Sequence, residues 1–156
     1  MKKLIIALLL ITFIHSDDSD LYDSTRIYNA IMSLQSDYPE GYPWTNSNVY
    51  TWGTSVAIGL GYSSYTGRGC VAFAMMASDA AFGEIPAYKF TDKSEIRVGD
   101  IIRINNDSHS VIVLKIQGNS KYTVAEGNYN QSVHWGRTVD LSSTGFSYGL
   151  TRYKTS

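Results

Sequence analysis

The chain has one cysteine, Cys70, among its 156 residues. An intrachain disulfide is therefore excluded, and the thiol must be buried, joined to another chain, or reactive. An excess of basic charge is also missing. Thirteen Lys and Arg against fourteen Asp and Glu leave a net charge of -1, with no basic stripe, which argues against a nucleic-acid partner. No Cys/His spacing suits a zinc site, and no glycine-rich loop joins a strand to a helix as nucleotide binding requires, so neither metal nor cofactor is expected. Internal repeats and low-complexity stretches are absent. The acidic stretch "DDSDLYD" lacks the ligand spacing of a calcium loop. The longest apolar run, Leu4 to Ile14, is about eleven residues and too short to span a bilayer comfortably.

What the sequence does contain begins with that run. Lys2 and Lys3 precede it and polar residues follow at once, the layout of a secretory signal peptide, with cleavage expected after the small Ser16. Residues 1–16 are read as that signal and 17–23 as a short linker. Residues 24–156 are read as a single domain of a secreted or cell-surface protein, monomeric and without stable membrane association after cleavage. About 140 residues suffice for one domain with a real core. Tyrosine is abundant, at 12, while charged residues make up only 17%, a surface suited to polar polymers such as peptides or glycans.

Asp23 or Ser24 can cap a first helix, in which Ile27, Ile31 and Leu34 recur at helical spacing. The stretch from Tyr38 to Gly69 reads as irregular, with one short helix. Cys70 to Phe82 is the strongest second helix, stopped by Gly83 and apolar all round, hence central. Beyond "KSEIRVGD" the period changes. "DIIRI", "HSVIVLKI", "KYTVAE", "GRTVDL" and "SYGLTRY" read as short strands separated by turn chemistry, with "VIVLKI" central and "GNYNQSVHW" a loop. Helices followed by an antiparallel meander predict an α+β fold, one sheet with helices on one face.

A cysteine nucleophile needs a lowered pKa, a proton acceptor within reach, and a group that holds the acceptor's ring. Cys70 stands at a helix start behind Gly67 and Gly69, where unpaired N–H groups favour a thiolate and can serve an oxyanion. His109 and His134 are the histidines after the signal. His109 opens the central strand, and Glu126 and Asn128 in "VAEGN" lie two apart on the next, so that both can meet its ring if they share its face. Met75 and Met76 read as core fillers, and Asp79 as a cap or loop anchor. Trp44, Tyr50 and Trp52 can wall a substrate groove or pack the helix. Arg68 can draw a substrate carboxylate or stay solvated. His134 and Trp135 read as rim residues, with His134 the reserve base.

These residues resemble the NlpC and CHAP group of papain-like cysteine, histidine-dependent amidohydrolases and peptidases. The resemblance runs over roughly Cys70 to Tyr153 and rests on Cys70, "VGDIIRI" with Gly99 and Asp100, His109, and the E-x-N pair Glu126 and Asn128. It implies a papain-like core with the cysteine helix packed on an antiparallel sheet, and hydrolysis of amide bonds in peptidoglycan peptides or related peptides through a thioester. It further implies Cys70 as nucleophile, His109 as base and then acid, Glu126 or Asn128 as orienter, and the Cys70 N–H in the oxyanion hole. Tyr62 and Tyr65 are candidates by position for a side-chain donor there. Trp44, Tyr62, Tyr65, Arg68 and Trp135 are the candidate substrate contacts. Two other classes remain open at this point: a non-catalytic wall- or partner-binding module, and a transglutaminase-like enzyme that passes the acyl group to an amine.

Overall fold

The computed structural model describes residues 18–153; the expected signal segment lies outside them. A four-residue helix α1 (Asp18–Leu21) precedes α2 (Ser24–Met32), which runs on into a 3₁₀ turn, Ser33–Ser36. β1 (Val49–Trp52), α3 (Thr54–Ala57) and β2 (Tyr65–Arg68) lead into α4 (Cys70–Phe82). The rest is β3 (Tyr88–Phe90), β4 (Ile101–Ile104), β5 (His109–Gly118), β6 (Lys121–Tyr129), β7 (Ser132–Asp140), α5 (Leu141–Thr144) and β8 (Tyr148–Thr151). The architecture is α+β and antiparallel. Six strands run in the order β3-β8-β4-β5-β6-β7, and β1 pairs with β2 in a separate two-stranded sheet.

α4 has nine buried residues distributed around its circumference. The surrounding chain explains this: on one side Phe73 and Ala77 pack with Ile112 of β5, Ala125 of β6 and Ile27 and Ile31 of α2. On the other, Ala74 and Met75 pack with Trp52, Val56, Ile101 and Leu150. Asp23 starts α2 by accepting the Arg26 N–H at 2.8 Å. The "GD" before β4 has a steric origin. Gly99 has φ +90, and a Cβ there would stand under 3.0 Å from Ile27 and Phe82, so only glycine lets β4 pass so close beneath the helices.

Four features depart from the sequence reading. α1 forms within the expected linker, because Arg26 donates from Nε to the Asp20 carbonyl at 3.0 Å and from Nη2 to that of Leu21, satisfying helix-end acceptors. The expected loop "GNYNQSVHW" is mostly strand. Asn130 and Gln131, with φ +50 and +59, turn β6 directly into β7, a two-residue hairpin with both central residues left-handed. The irregular stretch before Cys70 contains the β1–β2 pair. Finally, the sheet is more than a meander with one covered face: β8 returns beside β4, β3 adds an edge, and a second core covers the face away from α4. That core joins Val111, Val113, Val124 and Val139 to Phe90, Ile96 and Leu141.

Candidate active site

Cys70 is the first residue of α4 and is 8% exposed. Gly69 before it takes φ +55 and ψ -122, a conformation open to glycine. Both polar groups of the Gly69 backbone are held by one segment: its N–H donates to the Asn48 carbonyl at 2.9 Å, and its carbonyl accepts the Trp44 indole N–H at 2.8 Å. A turn closed by Asn48 N–H to the Thr45 carbonyl, and by Thr45 N–H to Asn48 Oδ1 at 2.8 Å, stiffens that segment.

His109 is the first residue of β5, opposite Ile104 of β4. Its Nε2 lies 2.9 Å from Glu126 Oε1, which leaves Nδ1 as the ring nitrogen for the Cys70 thiol. Glu126 is 0% exposed. Its carboxylate also accepts from Arg137 Nε at 2.7 Å (Oε2) and from Arg137 Nη2 at 2.8 Å (Oε1), a two-pronged ion pair. Sheet register explains the meeting. Val113 stands opposite Val124, and by the two-residue period of strands His109 and Val111 on β5 share a face with Val124 and Glu126 on β6. Arg137, opposite Val124, joins them across the β6–β7 hairpin.

The electrostatics favour charge separation between the thiol and the ring. Burial pushes the Cys70 thiol up. The neighbouring His109 ring, the Ser110 backbone, and the charges of His109 and Arg103 outweigh it, leaving the thiol below its ordinary value. Burial pushes His109 down, but the neighbouring Cys70 thiol, the hydrogen bond to Glu126 and the charges of both raise it to about 9. Burial likewise pushes Glu126 up, and His109 and Arg137 bring it below the usual carboxylate range. Arg103 is braced nearby, donating from Nε to Asp107 Oδ1 at 2.7 Å and from Nη1 to Ser110 Oγ at 3.0 Å. The arrangement can hold a thiolate beside an imidazolium, with a buried carboxylate fixing the ring.

The remaining candidates separate. Asn128 does not share the face of Glu126: its φ of +57 breaks the strand alternation, and its Nδ2 donates to Asn46 Oδ1 at 2.9 Å beside Gly69. Trp44 is 5% exposed and packs edge-on against Phe73, so it supports the Gly69 turn and does not wall a groove. Trp135 also meets Phe73 edge-on and donates its indole N–H to the Tyr38 carbonyl at 2.8 Å. Trp52 is buried, and Tyr50 donates its hydroxyl to Asp79, which also pairs with the buried Arg152 at 2.7 Å. Tyr62 and Tyr65 stack at 6.0 Å and, with Tyr88, Lys89 and Tyr148, line a cavity of about 460 Å³ whose walls include neither Cys70 nor His109. Arg68 is exposed at the end of β2. His134 and Trp135 lie in β7, not in a loop; His134 Nδ1 is 2.5 Å from Glu40 and its Nε2 3.0 Å from the Tyr129 carbonyl, away from the thiol. Met75 is core.

Sequence reasoning missed Arg137, Arg103, Ser110 and Asn46. Arg137 was findable only with the turn at Asn130 and Gln131 in hand. Arg103 carried one signal, as the charge interrupting the apolar run "IIRI". Among the described residues, no cluster of His, Cys, Asp and Glu is placed to hold a metal ion, and no helix is long and apolar enough to cross a membrane. The chain matches no family model and no curated protein.

Proposed function

We propose that the protein is a cysteine hydrolase that cleaves amide bonds through a thioester on Cys70. The observation that carries this reading is the line from Glu126 through the His109 ring to a thiol at a helix start, with Arg137 locking the carboxylate. A structural cysteine needs no buried carboxylate behind its neighbour, and keeping Glu126 charged at 0% exposure is costly unless it is fully paired. In the proposed reaction the Cys70 thiolate attacks the carbonyl carbon, forming a C–S bond as the carbonyl π electrons move to oxygen. The intermediate collapses, the C–N bond breaks, and His109 gives its proton to the departing amine. Water then attacks the thioester while His109 takes its proton, the C–S bond breaks, and the thiolate returns. Glu126 keeps the ring oriented and offsets its charge.

The resemblance of Cys70, "VGDIIRI", His109 and "VAEGN" to the NlpC and CHAP group supplies the substrate class: peptidoglycan peptides, or related peptides, met outside the cytoplasm. On this reading the α+β architecture is a papain-like core with α4 as its cysteine helix. Mass spectrometry of purified muropeptides after incubation tests it. The wild-type protein should release new fragments differing by one water, and Cys70→Ser should release none. Identical digests from both proteins would remove wall peptide as the substrate.

A further inference from the structure

Thiolate attack on a carbonyl moves negative charge onto oxygen, and that charge needs donors fixed in advance. The Cys70 N–H is one: it belongs to the first turn of α4, where no helical acceptor reaches it. Tyr62 and Tyr65 face a separate cavity. Two carboxamides, however, lie directly over the residue before the thiol. A Cβ built on Gly69 would stand under 3.0 Å from both Asn46 Oδ1 and Asn128 Nδ2. Asn46 sits inside the 45–48 turn that grips the Gly69 backbone, so its position relative to Cys70 is set by short hydrogen bonds. Its Oδ1 is occupied by Asn128 Nδ2 at 2.9 Å. The end of the Asn46 amide left for a ligand is therefore its donor, Nδ2, which makes no further hydrogen bond among the described residues, and Asn46 is exposed.

We propose that Asn46 supplies the side-chain N–H of the oxyanion hole and that Asn128 is the positioning residue that aims it. The proposal rests on the hydrolase reading of Cys70. It also explains why Asn128 leaves the regular strand geometry: at φ +57 its amide turns from the face of Glu126 to the Gly69 turn. The ligand class is a carbonyl group at the moment it becomes tetrahedral.

Two reactions of the same thiol separate this role from a supporting one. Acylation by a p-nitrophenyl ester builds an oxyanion and releases nitrophenolate. Exchange with 2,2′-dithiodipyridine forms an S–S bond, expels thiopyridone, and builds none. Asn46→Ala should slow acylation about a hundred- to a thousand-fold and leave thiol exchange within about two-fold of wild type. Asn46→Asp keeps the acceptor for Asn128 while removing the donor, and should slow acylation at least as much. Asn128→Ala should slow it less, because the donor remains but is no longer aimed. Parallel loss of both reactions in Asn46→Asp would make Asn46 a prop for the turn, and unchanged acylation would remove it from the site; either overturns the proposal with the hydrolase reading intact. A wild-type protein that exchanges but never acylates overturns both together.

Discussion

Replacing Glu126 by Gln changes one atom type at the most heavily constrained point of the site. Three N–H donors converge on the carboxylate: His109 Nε2 at 2.9 Å, Arg137 Nε at 2.7 Å and Arg137 Nη2 at 2.8 Å. A glutamine offers one acceptor oxygen and one donor nitrogen, so at least one donor must face another. At 0% exposure no water relieves that conflict, and the lost charge-assisted bonds should cost about 1–3 kcal/mol of stability. The chemical effect is separate. The carboxylate is one of the groups that raise His109 to about 9, so its loss lets the ring fall toward its ordinary value of 6.5. A ring neutral at pH 8 no longer depresses the thiol, which rises toward its own ordinary value. The pH range over which thiolate and imidazolium coexist therefore narrows from both ends. Turnover should fall about ten- to a thousand-fold, the loss of about 1.4 to 4 kcal/mol of transition-state stabilisation. The assay is the rate of iodoacetamide labelling across pH 4 to 10, with circular dichroism to confirm folding. Superimposable labelling profiles for a folded Glu126→Gln protein and wild type would show that the carboxylate does not set the charge state of the thiol and ring.

Other predictions follow from the same geometry. Gly69→Ala forces a side chain into a left-handed backbone and against Asn46 and Asn128; it should abolish turnover and lower stability by about 1–3 kcal/mol, read from denaturant unfolding. Trp44→Phe keeps the ring against Phe73 but removes the buried hydrogen bond to the Gly69 carbonyl. A loss of about 1–3 kcal/mol is expected, with a larger fall in turnover than an equally destabilising change in the second core, such as Val139→Ala, produces. Asp100 is 0% exposed and raised by burial to about 7, against the opposing pull of its Thr151 and Arg97 partners. A group whose folded pKa is raised contributes stability that is full below its unfolded value near 3.8 and is lost as pH rises through about 7. Melting temperature should therefore fall more steeply from pH 5 to 8 in wild type than in Asp100→Asn, and parallel slopes would exclude Asp100 as the source.

The helix that presents Cys70 was legible because its apolar residues run round the whole circumference and glycines bracket it. The α+β class was legible because the period changes after Gly99. His109 and Glu126 were legible because strands alternate: a residue opening one strand and one in the next can share a face. The placement of Asn128 was not, since it turns on a positive φ that spacing does not encode. The hairpin at Asn130 and Gln131 was hidden for a related reason, as Asn-Gln is a weak signal for a turn that needs two left-handed residues. That one turn determines the fate of Arg137, His134 and Trp135, so missing it hid the group locking Glu126 and left two strand residues in a loop. Trp44 reads equally as a groove wall or as packing, because aromatic residues pack equally well on substrate and on core; its hydrogen bond to the Gly69 carbonyl, remote in sequence, is what spacing does not show.

Acid-quenched intact-mass spectrometry of the protein during reaction with an activated acyl ester asks most directly whether Cys70 is a nucleophile served by His109. A transient mass increase equal to one acyl group is expected, mapped to Cys70, removed by hydroxylamine, and absent in Cys70→Ser and His109→Ala. A wild-type protein that gains no acyl mass, and whose thiol reacts only after denaturation, would contradict that role for Cys70.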